Sequence, residues 1–255
     1  MSKNGVRLLV GLLLIIASAK PLFDMIREVI LEENIRDRYE IHHAYVKDGW
    51  PSIIDAPEIM IGSHHIELIE RDTGKKAPLT PWDKNEKVPP GDIITVHFVL
   101  NGEEISTPSE IWLSNRDRGS RYFSWIDILK VKDLQTGENR IAIVQRVSDD
   151  DVSMDQREWR IFYINEVDGH WTEKLLRFQD RNEDLLGVKL INLSGTNRMS
   201  MGYYSDILHH YPTYFFPFLY PIGSGLLGII LVLTILLKSY LKKVNFSKKL
   251  LNPVK

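Results

Sequence analysis

The stretch from Ile222 to Leu237 runs for sixteen residues without a charge, and the tail that follows holds six lysines and no acidic residue. With Phe218 and Leu219 it approaches about twenty residues, the length a helix rising about 1.5 Å per residue needs to cross roughly 30 Å of hydrocarbon. Tyr211, Tyr214, Phe215, Phe216, Phe218 and Tyr220 crowd its upstream end, where amphipathic rings suit the headgroup layer. The expectation is a membrane span over 215–237 followed by a basic cytoplasmic tail over 238–255.

A second apolar stretch lies near the N-terminus, where Lys3 and Arg7 precede Leu8 to Ala19. Ala17-Ser18-Ala19 has the small-x-small pattern of a signal peptidase site, so a cleaved signal peptide is one reading. The apolar core runs straight into that triplet, and Leu22 and Phe23 continue it beyond Pro21. An uncleaved signal anchor over 8–23, after a cytoplasmic 1–7, is therefore preferred. Either way the segment between the runs is exported. It holds 24 basic against 34 acidic groups, while the two ends hold eight basic and none acidic, which is the asymmetry of the positive-inside rule. The chain contains no cysteine, which excludes disulfides, thiolate zinc sites and thiol catalysis together and favours a bacterial cell envelope.

The exported part begins with Leu22 to Tyr39, where Leu22, Phe23, Met25, Ile26, Val29, Ile30 and Ile35 recur at helical spacing between charges. This predicts an amphipathic stalk helix and linker within 24–58. From about Ile59 the texture changes to short runs of β-formers separated by turn residues, predicting a β-rich domain over 59–214. Ile66-Glu67-Leu68-Ile69 leads into a turn at Arg71 to Lys75, and the prolines between Ala77 and Gly91 mark a surface loop. Ile93 to Leu100 ends at Asn101-Gly102, a pair suited to the positive φ angles of a hairpin turn. Two further hairpins are expected, Ile126 to Val131 returning through Arg140 to Val147, and Trp159 to Asn165 returning through Asp168-Gly169 to Trp171 to Phe178. Regular spacing of this kind argues for an antiparallel sandwich or meander with one face packed and the other wet. The fold class is thus a membrane-anchored, mainly β protein, with terminal transmembrane helices flanking an extracytoplasmic antiparallel β-rich domain.

Six of the eight histidines come as adjacent pairs, His42-His43, His64-His65 and His209-His210. Imidazole is the commonest metal ligand, but neighbours on a strand point to opposite faces, so a pair alone is a poor chelate. Zinc would need histidines from separate segments and a carboxylate at about 2.0–2.2 Å. The three pairs are the metal candidates, and His209-His210 have a second reading as proton sensors at the membrane surface. The acidic loop Ser148 to Asp155 offers oxygen ligands without the frame of a calcium loop. Asn192-Leu193-Ser194 matches a glycosylation sequon. The six tryptophans, Trp50, Trp82, Trp112, Trp125, Trp159 and Trp171, suit a sugar platform or, as is commoner in sheets, core packing.

Ser224, Gly225 and Gly228 give the second span a small-residue face on which a helix can pack closely. Lys238, Lys242, Lys243, Lys248 and Lys249, mixed with Tyr240, Leu241, Val244 and Phe246, suit anionic lipid. The eighteen-residue tail is too short for a nucleotide site or a DNA-binding module, and no nucleic-acid partner or cofactor is expected. No Asp or Glu sits in a recognisable catalytic motif, and there is no Gly-x-Ser-x-Gly elbow. The favoured function is a non-enzymatic accessory or regulatory subunit whose exported domain binds an integral-membrane protein or a cell-wall glycan. The alternative is a membrane-anchored extracytoplasmic hydrolase, with metal dependence as an option.

Overall fold

The computed structural model describes residues 3–47, 50–51, 58–79, 84, 88–113, 121–122, 124–148, 152–197, 201–204 and 215–251. The chain divides into two compact units, one formed by Met1–Ile30 with Tyr204–Lys255, the other by Leu31–Tyr203. Helix α1, Lys3–Arg38, contributes to both. The apolar run and the amphipathic stretch after it are one helix, with Pro21 inside it.

In the first unit, α1 is joined by a helix near the C-terminus that begins as a π-helical turn over Phe218–Gly223. Tyr220 there leaves helical angles (φ −137°, ψ 128°), and Pro221 has no N–H to give the ladder. A regular helix, Ser224–Leu251, follows. The segments Lys3–Arg38 and Phe218–Val244 are each long and apolar enough to cross a membrane. Leu9, Leu13 and Ile16 of the first and Leu226, Ile230 and Leu237 of the second are exposed.

The second unit is built on two antiparallel sheets. One contains β1 (Tyr39–His43), β9 (Ile126–Asp133), β10 (Asn139–Arg146), β11 (Glu158–Asn165) and β12 (Trp171–Arg177), in the order β1-β9-β10-β11-β12. The other contains β4 (Glu58–Ile61), β5 (His64–Lys76), β6 (Asp92–Leu100) and β7 (Glu103–Glu104) in that order, with β8 (Ser109–Trp112) also paired to β6. Among the described residues the short β2 (Val46–Lys47) and β3 (Trp50–Pro51) pair with each other. Alternation along each strand sends Ile66, Leu68, Val96 and Phe98 of one sheet and Ile128, Ile141, Ile143 and Phe162 of the other into a single buried cluster. The Phe98 and Phe162 rings meet there with centroids 5.5 Å apart.

The hairpins form as their turn residues predict. Asn101 (φ 53°) and Gly102 (φ 89°) adopt the left-handed angles that join β6 to β7. In the turn after β9, Asp133 Oδ1 accepts hydrogen bonds from the backbone N–H groups of Gln135 and Thr136 at 2.9 and 3.2 Å. Its Oδ2 is held by the Arg38 guanidinium at 2.9 Å, where α1 ends.

Four features depart from the sequence reading. The Arg71 to Lys75 segment is a bulge inside the thirteen-residue β5, with the register shifting between Asp72 and Lys75. Gly74 (φ 70°) donates its N–H to Asp72 Oδ1 at 2.8 Å, so turn chemistry bends a strand instead of ending it. Strand β1 begins directly after α1, well before Ile59. A nine-residue helix, α2 (Leu185–Leu193), is N-capped by Asp184, which accepts from Gly187 N–H at 2.9 Å. It packs on β10. For that reason the first sheet is not wet on its second face, and Leu129, Ala142, Val144, Trp159, Ile161 and Leu176 are fully buried there. The C-terminal helix Ser224–Leu251 is α3.

Candidate functional site

Within the first unit the small-residue face of α3 meets α1. A Cβ placed on Gly228 would lie 2.7 Å from the Gly11 carbonyl oxygen, and one on Gly225 would lie 3.3 Å from Ser18 Cβ. Ser18 Oγ and Ser224 Oγ are 2.9 Å apart, and the Tyr220 hydroxyl donates to the Ala17 carbonyl at 3.0 Å. The helices therefore approach closely at two levels, Gly11 with Gly228 and Ser18 with Ser224 and Gly225, the geometry small residues permit. The Ala17-Ser18-Ala19 triplet lies inside a continuous helix and takes part in this contact. Lys238, Lys242 and Lys243 are exposed on α3 past the apolar run; Lys248 and Lys249 lie further along the same helix.

The histidines of the β unit are distributed among separate partners. Strand alternation sends His42 and His43 to opposite faces of β1. His42 Nε2 lies 3.1 Å from Glu40 at the surface. His43 Nδ1 lies 3.1 Å from the buried Asp127 carboxylate of β9. The same carboxylate accepts the Gly195 N–H, just past α2, at 3.1 Å. His64 is buried at the start of β5, with Nε2 2.9 Å from the Glu166 carbonyl and Nδ1 3.1 Å from Asn101 Nδ2. Nε2–H therefore donates and Nδ1 accepts, which ties β5 to the β11–β12 turn and to the β6–β7 turn. His65 Nε2 is 3.7 Å from Glu58. His209 and His210 lie outside the described residues, as do Asp149 to Asp151 of the acidic loop and Trp82. Among the described residues no three of His, Asp and Glu gather to hold a metal ion.

No family model, curated protein or solved structure matches this chain.

Four of the tryptophans serve packing. Trp159 is fully buried and Trp125 nearly so, the Trp112 and Trp125 rings lie 5.6 Å apart, and Trp171 meets Phe162 at 6.3 Å. The sequon asparagine is engaged as well: Asn192 donates to the Met201 carbonyl and accepts from its N–H, at 2.7 and 2.8 Å.

Across β1, β9 and β10 of the first sheet an open depression of about 210 Å³ is lined by Glu40, His42, Lys130, Lys132, Asn139 and Glu166, among others. Lys132 faces Glu40 across the ladder and Lys130 faces His42. His42, and after it Lys132, hold the Glu40 carboxyl below its usual range. This surface combines groups of both charges with Val131 and is open to water, suited to reversible contact with another molecule.

Two charged groupings escaped sequence reasoning. Glu70 of β5 accepts hydrogen bonds from Nε and Nη2 of Arg121, at 2.7 and 2.6 Å, and from the Tyr122 hydroxyl. Arg121, then Tyr122, lower the Glu70 carboxyl, while burial and Glu70 raise the Tyr122 hydroxyl. The other is Asp127, whose partners come from distant segments.

The Asp127 carboxylate, 3.1 Å from Nδ1, raises His43 above its ordinary value of 6.5, against the opposing effect of burial. A raised folded-state value means that protonated His43 contributes stability in full below the unfolded value, and that this contribution is lost as pH rises through the folded one. The thermal midpoint of the wild-type chain is thus expected to fall further than that of Asp127→Asn on going from about pH 5 to about pH 9. Parallel profiles for the two proteins would contradict the role assigned to the pair.

Proposed function

We propose that this chain is a two-pass protein of a bacterial cell membrane, with both termini cytoplasmic and a β-sandwich domain outside, acting as a non-enzymatic accessory or regulatory subunit. The observation that carries this reading is the helix pair: two apolar helices in contact through Gly11, Ser18, Ser224, Gly225 and Gly228, with large apolar side chains turned outward. Such a pair is suited to lipid on its outer surface, where packing between helices depends on close small-residue contact. The exposed lysines at the end of α3 favour an anionic cytoplasmic leaflet. Sheets sharing one core, Phe98 against Phe162, favour the sandwich. His42, His43 and His64 lie against local partners, and the first sheet offers an open, charge-lined surface across β1, β9 and β10, an arrangement suited to binding a protein or glycan partner.

The test is cross-linking in intact membranes followed by purification through a C-terminal tag. An integral-membrane protein or wall glycan recovered reproducibly with the chain is the expected result. A chain that purifies alone and turns over a wall, lipid or peptide substrate would overturn the accessory reading.

A further inference from the structure

The open depression of the first sheet stands out for the side chains it leaves unpaired. Lys130 and Lys132 are exposed two residues apart on one face of β9, about 7 Å from each other along the strand. Ile128, the preceding residue on that face, belongs to the shared core, so the lysines stand where the core gives way to water. Elsewhere in the β unit Lys75, Lys76, Lys174 and Lys189 each pair with a carboxylate. Among the described residues Lys130 and Lys132 pair with none. Lys132 faces Glu40, but Glu40 Oε1 turns to His42 Nε2 at 3.1 Å. Asn139 lies opposite Lys132 on β10, and its carbonyl accepts the N–H of Glu166. The side chains of Asn139 and Glu166 likewise have no hydrogen-bond partner among the described residues.

These groups narrow the occupant. A protein interface centres on buried aromatic or aliphatic anchors, and among the described residues the depression offers none: Val131 is 2% exposed, and alternation turns its side chain to the other face of the sheet. A neutral sugar would cover both ammonium groups without giving them a partner, at the cost of their hydration. A small anion without hydroxyls would meet the repulsion of Glu40 and Glu166. A hydroxyl-rich chain bearing carboxylates satisfies all of them. Its acids pair with the lysines, while its hydroxyls donate to the glutamates and accept from the Asn139 amide.

We propose that this depression binds a carboxylate-bearing sugar of a wall glycan, with Lys130 and Lys132 as the cationic pair and Glu40, Asn139 and Glu166 holding hydroxyls. This rests on the reading of the β unit as external and non-enzymatic, and gives its partner a chemical class.

The probe is a wall-glycan oligosaccharide freed of peptide, in which alternate sugars carry a carboxylate, titrated calorimetrically into the full-length chain in detergent. Its methyl ester keeps every hydroxyl and removes the charge. The wild-type chain is expected to bind the acid at least about tenfold more tightly than the ester, and Lys130→Gln with Lys132→Gln to lose about tenfold or more in affinity for the acid. Equal binding of acid and ester, no binding of either, an unaffected double variant, or displacement of the oligosaccharide by an equal concentration of inorganic phosphate would overturn the proposal alone. Cleavage of the oligosaccharide would overturn the accessory reading and this binding role together.

Discussion

Replacing Gly228 by leucine is expected to separate the two terminal helices. The first added carbon would sit 2.7 Å from the Gly11 carbonyl oxygen and 3.0 Å from Ile15 Cγ1. A backbone oxygen in a helix cannot rotate away as a side chain can, so the helices must move apart and lose the close contact that small residues permit. The loss can be read directly. Ser18 Oγ and Ser224 Oγ are 2.9 Å apart, so the double variant Ser18→Cys with Ser224→Cys should form an intramolecular disulfide under mild oxidation. Adding Gly228→Leu should reduce that disulfide by about tenfold or more, a loss of about 1.4 kcal/mol or more in close approach. Adding Leu226→Ala, at an exposed position on the same helix, should leave it unchanged. Undiminished cross-linking with Gly228→Leu would show that the contact between the helices is not made there.

The largest effect expected in the β unit is that of Phe162→Ala. The ring is fully buried, packs on Phe98 of the other sheet and meets the edge of Trp171. Its removal takes a large apolar group out of the shared core and leaves a cavity lined from both sheets, costing about 3–5 kcal/mol. For a unit of this size that corresponds to a fall of roughly 10 °C in the thermal midpoint of the full-length protein. Val167→Ala, at an 87% exposed site in the β11–β12 turn, should stay within about 0.5 kcal/mol of wild type. Equal midpoints for the two variants would mean that the sheets do not share the core described.

How much was legible in the sequence depends on how local each signal is. The hairpins at Asn101-Gly102 and Asp168-Gly169 were readable because the left-handed angle and the flanking β-formers lie within a few residues of one another. The apolar helices were readable from length alone. Helix α2 was not. Between Leu185 and Leu193 it carries one charge, Lys189, and its contact with the sheet buries Val188, Leu190 and Ile191, so it lacks the polar face that marks a period. The bulge at Asp72 to Gly74 was hidden for a different reason. The positive φ of Gly74 suits a tight turn as well as a bulge, and only pairing with β6 decides between them.

The same division holds for the candidate site. Histidine pairs and small residues could be picked out, but their partners are matters of tertiary structure. Nothing near His43 in sequence points to Asp127, and nothing near Gly228 points to Gly11. Adjacent histidines look like a ligand set in the chain; in the fold His42, His43, His64 and His65 each turn to a separate neighbour.

The most direct test of the membrane topology is the reaction of single cysteines with a membrane-impermeant maleimide in intact cells. The cysteine-free chain supplies a silent background. Val167→Cys, at the exposed turn of the β unit, is expected to react in intact cells, whereas Ser239→Cys, on the exposed stretch of α3 past the apolar run, should react only after lysis. Labelling of Ser239→Cys in intact cells, or protection of Val167→Cys until lysis, would contradict the two-pass arrangement with an external β domain.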